Sequence, residues 1–156
     1  MEWAEEERLA ETLGAVQNKE GQYARWELWL RVGNGKGHLC HFLHHIGTTG
    51  SAAYESTAVH KELIESFVEA GRWGDEPPQV VVRSHRHRHF EERIPGAAGY
   101  IIATVTPAWQ GKTPFTWKIP GARIAQPQFG GVLIRAGDEE LHSRFRVWRL
   151  ERPKEG

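Results

Sequence analysis

The sequence is poor in cysteine, net charge and long hydrophobic runs, and each shortage excludes a class of protein. A single cysteine, Cys40, allows no internal disulfide and suits a reducing cytoplasm. Twenty basic side chains balance twenty acidic ones, so no overall field attracts nucleic acid or an anionic membrane. No apolar run approaches the ~20 residues that span a bilayer, and the acidic start is unlike a signal peptide. We therefore expect one soluble cytoplasmic domain without membrane contact.

Apolar periodicity predicts a mixed α/β domain of the α+β class, with one short helix, one long helix and a mixed β-sheet. A helical lead-in over residues 1–22 contains a helix at 3–17. A second helix at 52–70 has Ser51 as its N-cap and Gly71 as its terminator. The sheet occupies residues 23–150, and 151–156 form a tail. The predicted strands are 24–32, 38–43, a run from residue 80, 100–106, 115–119, 130–135 and 144–150. Turns are predicted at 33–37, 120–121 and 136–138. The last three strands are expected to form a β-meander.

Histidine and tryptophan are abundant, with nine and seven residues. Tryptophan usually serves core or interface contacts. Trp29 interrupts the polar face of the first predicted strand, so we expect another element to cover it. Cys40 lies in an apolar stretch and is expected to be buried and inert.

Histidines follow two of the predicted strands. His44 and His45 come after the strand at 38–43, and His85 and His87 come after the run of three valines. A polar turn at the end of a buried strand is where an α/β fold usually places its chemistry. Imidazoles at i and i+2 of an extended chain share one face and can be aimed at a metal. We therefore expect the histidines to gather at one sheet edge; the alternative is a solvated loop, which is common for a His/Arg run.

The order of these motifs resembles the C-terminal half of a calcineurin-like metallophosphoesterase, and especially its phage-encoded branch. The resemblance covers residues 25–150 and rests on His44-His45, the glycine-rich turn and helix that follow, and Ser84-His85-Arg86-His87. The segments 107–110 and 127–131 also have counterparts in that family. The resemblance implies half of an α/β/β/α sandwich, and therefore a partial sandwich here. It also implies a hydrolase that cleaves phosphate mono- or diesters at a two-metal centre, in the host cytoplasm for a phage protein.

The same resemblance implies a set of metal ligands. His44 would bind one metal, with His45 as the alternative, and His85 and His87 would supply a ligand to each of two metals. Neutral imidazole suits manganese, iron or zinc.

Two arginines near these histidines are candidates for contact with the substrate. Arg83 or Arg86 would neutralise charge on the phosphate, and a solvent-facing role is the alternative for both. Ser84 stands where the family has a glycine.

Three acidic motifs of the family, Asp-x-His, Gly-Asp-x-x-Asp and Gly-Asn-His-(Asp/Glu), are absent from this sequence. Without bridging carboxylates, two cations held close together repel each other. The resemblance therefore implies an incomplete site that a partner chain with the missing half would complete, and we do not expect the chain to be active alone.

Two further hypotheses remain open. The chain could be a non-catalytic interaction or homo-oligomerisation module in which a tryptophan-rich sheet face is uncovered. Alternatively, Arg83, Arg86 and Arg88 could contact nucleic acid, which is also a candidate substrate for a complete enzyme.

Overall fold

A mixed five-stranded sheet forms the centre of the fold. The structure is a computed structural model, and it describes residues 4–47, 52–96, 99–114, 118, 126–137 and 141–148. Within these residues the fold is of the mixed α+β type, as predicted. The helices are α1 (Ala4–Thr12) and α2 (Glu55–Trp73), and a 3-10 turn (Ala52–Tyr54) leads into α2. The strands are β1 (Glu27–Val32), β2 (His38–Leu43), β3 (Val80–Arg83), β4 (Phe90–Gly96), β5 (Gly99–Val105), β6 (Phe129–Ala136) and β7 (Leu141–Trp148).

The order of the strands in the main sheet is β1-β2-β3-β5-β4. Strands β2, β3 and β5 run parallel, and β1 and β4 are antiparallel edge strands. The carboxyl ends of the three parallel strands therefore meet at the same edge. β1 and β2 are joined by the predicted hairpin turn, in which Gly33, Gly35 and Gly37 all adopt positive φ.

Helix α2 covers one face of this sheet. Val59 and Leu63 project from the helix onto Val81, Ala103 and Val105, and all five side chains are buried. The spacing of Val59 and Leu63 along the chain is that of one helical face, and the β-branched run of β3 suits a strand that is buried on both sides.

The opposite face is covered in part by β6 and β7, which form a separate antiparallel hairpin. Leu141 of the hairpin lies with Cys40, Val80 and Ile102 in a second buried cluster. The burial expected for Cys40 is confirmed, and it raises the pKa of the thiol to about 11.

The rest of this face is covered by no helix or strand of the described residues, although Ala15, Val16 and Tyr23 of the segment after α1 line part of it. It forms an open groove of about 670 Å³ lined chiefly by apolar side chains, and Ser84 and His44 also line it. Leu30 is 46% exposed and Trp26 is 56% exposed. We call this surface the open apolar face; it is defined by Trp26, Leu28, Leu30, Phe42 and Val82.

The N-terminal helix is shorter than predicted. α1 ends at Thr12 rather than at residue 17, because Gly14 adopts a left-handed φ of 74°. None of its residues is buried, so the predicted apolar stripe has no packing role there. Its attachment is polar instead: the Glu7 carboxylate accepts hydrogen bonds from the backbone N–H groups of Tyr23 and Ala24 at 2.5 and 2.7 Å.

The position of α2 was predicted with an error of three residues at each end. Gly71 lies inside the helix, and the left-handed cap is Gly74, at φ 72° and ψ 22°, with its N–H bonded to the carbonyl of Ala70. Both glycines are compatible with a helix end, so the sequence alone favoured the first of them. Ser51, the predicted N-cap, lies outside the described residues.

One strand was not predicted, one prediction was wrong, and one falls largely outside the described residues. Strand β4 was missed altogether. Trp29 is 48% exposed, so the prediction that another element covers it was wrong; its ring stacks on His41, with centroids 4.0 Å apart. The predicted strand 115–119, apart from Lys118, and the turn at 120–121 lie outside the described residues, so only a β6–β7 hairpin is seen of the expected meander.

Among the helices of the described ranges, none has the length and apolar character required to cross a membrane.

Candidate metal centre

The carboxyl ends of β2 and β3 place their histidines side by side. The chain leaves β2 at His44 and β3 at Ser84, and the N–H of Ser84 donates to the carbonyl of His44 at 3.1 Å. Pairing therefore continues one residue beyond the two strands. The Ser84 hydroxyl also lies 2.9 Å from that of Thr106, which follows β5. All three parallel strands thus fix the backbone from which His85 projects.

Three imidazoles converge at this edge. His44 Nε2 lies 3.3 Å from His85 Nδ1, and the ring centroid of His45 lies 4.9 Å from that of His44 and 4.7 Å from that of His85. One ring nitrogen from each residue lies within 4.8 Å of the other two. The two histidine pairs, about forty positions apart in the sequence, therefore meet at one sheet edge as predicted, while their role as metal ligands stays a prediction.

His87 is placed differently from the expectation. The group of three contains His45 and not His87. His85 and His87 have φ values of 70° and 56°, so this part of the chain is not extended and the premise of a shared strand face was wrong. His87 is nevertheless close enough for its charge to lower the pKa of both His44 and His85.

Two left-handed histidines separated by one residue, Arg86, imply a strained loop. Residues other than glycine adopt this region infrequently, although asparagine, aspartate and histidine do so more often than the rest. Each such residue costs about 1–3 kcal/mol and persists only where its surroundings impose it. Contacts on both sides of the loop offset this cost. Arg88 pairs with Glu55 of α2 at 3.3 Å, and Gln128 bonds to the backbone of the loop.

Partial burial lowers the pKa of His44 and His85 below the ordinary histidine value of 6.5. Neighbouring imidazoles add to this effect, because a second positive charge beside the first is unfavourable; for His85 the Arg86 guanidinium also contributes. Both rings are therefore neutral near neutral pH, which is the form that binds a metal.

The two arginines considered as substrate contacts have different surroundings. Arg83 is 4% exposed, forms an ion pair with Glu62 at 2.8 Å and donates to the carbonyl of His41. Little of its guanidinium is accessible to a ligand. Arg86 lies beside the cluster and donates to the carbonyl of Gly47. Because Arg83 and Arg88 are both paired with glutamates of α2, two of the three arginines considered for nucleic-acid contact are already neutralised.

The donor set fits a single divalent ion better than two. Nitrogens bound tetrahedrally to one zinc at 2.0–2.1 Å lie about 3.4 Å apart. The ring nitrogens of the three imidazoles lie within 4.8 Å of one another, so side-chain movements of roughly 1 Å would let them share an ion. Imidazole suits zinc and iron, whereas manganese prefers oxygen ligands, so manganese fits this donor set less well than the other two. The group contains no carboxylate that could bridge two ions.

Sequence reasoning missed Thr106 and Gln128, which support the backbone of the site. Neither residue belongs to a pattern that indicates such a role. The only signal was that Gln128 lies in the segment 127–131, which the family resemblance singled out.

Comparison of the chain with protein-family models, with curated proteins and with solved structures found no match.

Proposed function

We propose that this chain is the metal-binding half of a calcineurin-like metallophosphoesterase, in which a divalent ion is held by His44, His45 and His85. The observation that carries the proposal is the approach of His44 and His85 to 3.3 Å at the ends of adjacent parallel strands. Two neutral imidazoles on rigid strand ends are the arrangement that a metal site requires. The order of motifs along the chain supplies the choice of family.

The chemistry of the site follows from the donors that it has. A bound divalent ion supplies Lewis acidity and lowers the pKa of bound water. The chain's own residues orient the ligands, and Arg86 supplies a positive charge beside the cluster. His87, on the same loop, is the candidate ligand for a second ion in a complete two-metal centre.

Phosphate ester hydrolysis requires groups that this sequence lacks. Two divalent ions about 3.5–4 Å apart need anionic ligands between them to offset their repulsion, and the acidic motifs of the family are missing. We therefore propose that carboxylates from a partner chain complete the centre, and that a phosphate ester, including one in a nucleic acid, is the substrate of the completed site.

The test of this proposal is turnover by the chain alone with Mn(II) and a chromogenic phosphodiester. We expect metal binding without appreciable hydrolysis. Robust turnover that is lost in His87→Ala and kept in His60→Ala would contradict the dependence on a partner, because His60 is an exposed residue of α2 that does not belong to the group of three histidines.

A second candidate function is that of an interaction or oligomerisation module. The open apolar face favours it, because Trp26 and Leu30 are 56% and 46% exposed there and aromatic side chains are enriched in protein interfaces. The association state of the chain at tens of micromolar tests this idea. A monodisperse monomer that binds no hydrophobic dye would count against both a homo-oligomer and a partner chain on this face.

A further inference from the structure

The loop between β3 and β4 is held by a residue that is distant in sequence. We call residues 85–89 the histidine loop. In its middle, the carbonyl of His87 accepts a hydrogen bond from the N–H of Gln128 at 2.8 Å. At its end, the N–H of His89 donates to the Oε1 atom of Gln128 at 2.6 Å. One residue therefore binds two backbone groups of the loop that lie two positions apart.

The position of Gln128 is fixed by contacts with Ala108 and by the close packing of β6 on β7. Its carbonyl accepts from the N–H of Ala108 at 2.9 Å, and Phe129 forms a parallel bridge with Ala108. The next residue, Gly130, lies so close to β7 that an added Cβ would be 1.9 Å from the carbonyl oxygen of Arg146. A side chain at this position would displace the strand that carries Gln128, so the glycine preserves the close approach.

These contacts lie at the second of the two left-handed residues of the loop and just after it. His85 and His87 adopt positive φ with no glycine to relieve the cost. Such a conformation persists only where neighbouring groups impose it. The hydrogen bond to His87 lies directly at one of the two strained residues, and the bond from His89 fixes the point where the loop returns to an ordinary strand.

We propose that Gln128 is a positioning residue for the metal centre: its two hydrogen bonds impose the loop conformation that directs His85 towards His44. Gln128 does not touch the ring nitrogens of the cluster. Its effect passes through the backbone of the histidine loop, as outer groups around metal ligands commonly act. The expected effect on metal affinity rests on the function proposed above, whereas the effect on the loop does not.

Substitution of the side chain can remove the bond to His89, while the backbone bond from the N–H of residue 128 to His87 is kept. Gln128→Met keeps the size of the side chain but removes the acceptor for His89. Gln128→Glu keeps an acceptor oxygen at the same distance along the side chain. Gln126→Met is the matched control, because Gln126 is an exposed neighbour two positions away.

The first measurement is the affinity for Co(II), and the visible absorption of the bound ion monitors the titration. We expect Gln128→Met to weaken binding by about 10–100-fold, in line with other groups that orient metal ligands. Gln128→Glu should restore binding, and Gln126→Met should leave it unchanged. Equal affinity of Gln128→Met and the wild type would overturn the proposal while the metal site itself stood.

The second measurement needs no metal. In the metal-free protein, the amide of His89 should exchange with solvent faster in Gln128→Met than in the wild type, and the ring resonances of His85 should shift. If the wild type bound no Co(II), the proposed function would fail. Unchanged amide exchange and unchanged ring resonances in Gln128→Met would then contradict the positioning role as well. Changes confined to this variant would support that role.

Discussion

The pKa of His44 and that of His85 are lowered mainly by partial burial, and only secondarily by neighbouring imidazoles. Burial disfavours the charged ring, and the adjacent imidazoles act in the same direction. His41 has a lowered pKa for the same leading reason, with Arg83 as the second cause, although the nearby Glu27 opposes the shift. None of these three rings gains a proton easily in the folded state.

This arrangement predicts that acid weakens the metal-free fold. Below the ordinary histidine pKa of 6.5, the unfolded chain takes up protons that the folded rings resist. The stabilisation is therefore complete above that value and is lost as pH falls through the lowered folded pKa values. Urea unfolding between about pH 7.5 and about pH 5.5, with a chelator present, measures the effect.

The double variant His44→Gln/His85→Gln separates these rings from other titrating groups. It should lose less stability on acidification than the wild type, whereas His60→Gln should behave like the wild type. An identical pH dependence of the double variant and the wild type would contradict the assigned direction of the two pKa shifts.

Helices and strands with a buried face were the predictable part of the fold. The valine run of β3 and the helical spacing of Val59 and Leu63 each reflect burial that the structure contains. The alternation in β1 also predicted a strand correctly, although no residue of β1 is buried. β4 was missed because its sequence is charged in the middle and contains Pro95. An edge strand tolerates both features, since one of its sides needs no partner and proline removes only one donor.

The candidate site was predictable to about the same extent as the fold. Strand ends indicated where His44 and His85 lie, because parallel neighbours end at one edge. The choice between His45 and His87 depended on loop dihedrals, which sequence periodicity does not determine. The contact of Gln128 with the histidine loop spans about forty positions and follows no local pattern.

The two glycines near the end of α2 give a test at the level of a single helix. Gly71 lies inside the helix with open space around it, so Gly71→Ala should stabilise the protein by about 0.5–1 kcal/mol. Gly74 caps the helix at positive φ, so Gly74→Ala should destabilise it by roughly 1 kcal/mol. Chemical denaturation measures both changes, and effects of the same sign would contradict the assigned helix end.

The whole molecule is asymmetric about its main sheet. Within the part of the chain that the structure describes, one face is covered by α2, whereas the other is covered only in part by the β6–β7 hairpin. The open apolar face continues to His44 and Ser84, so a partner chain seated on it would reach the metal centre. Interaction and metal binding are therefore compatible parts of one proposal.

Association through this face predicts a sensitivity to charge. Leu30→Glu should weaken self-association or binding of a partner chain, because a carboxylate would be buried in an apolar contact. Val68→Glu is the matched control, since Val68 of α2 is as exposed as Leu30, at 46%. Sedimentation velocity distinguishes the two, and equal association of both variants would exclude this face as the contact.

The most direct measurement is the metal content of the freshly purified chain, determined by mass spectrometry after equilibration with Mn(II) or Zn(II) and removal of free ions. We predict about one divalent ion per chain, since three imidazoles can share one ion. Binding should be lost in the His85→Ala/His87→Ala double variant and in His44→Ala, and kept in His60→Ala. A wild type without stoichiometric metal, or a double variant that retains it, would contradict the proposed metal centre.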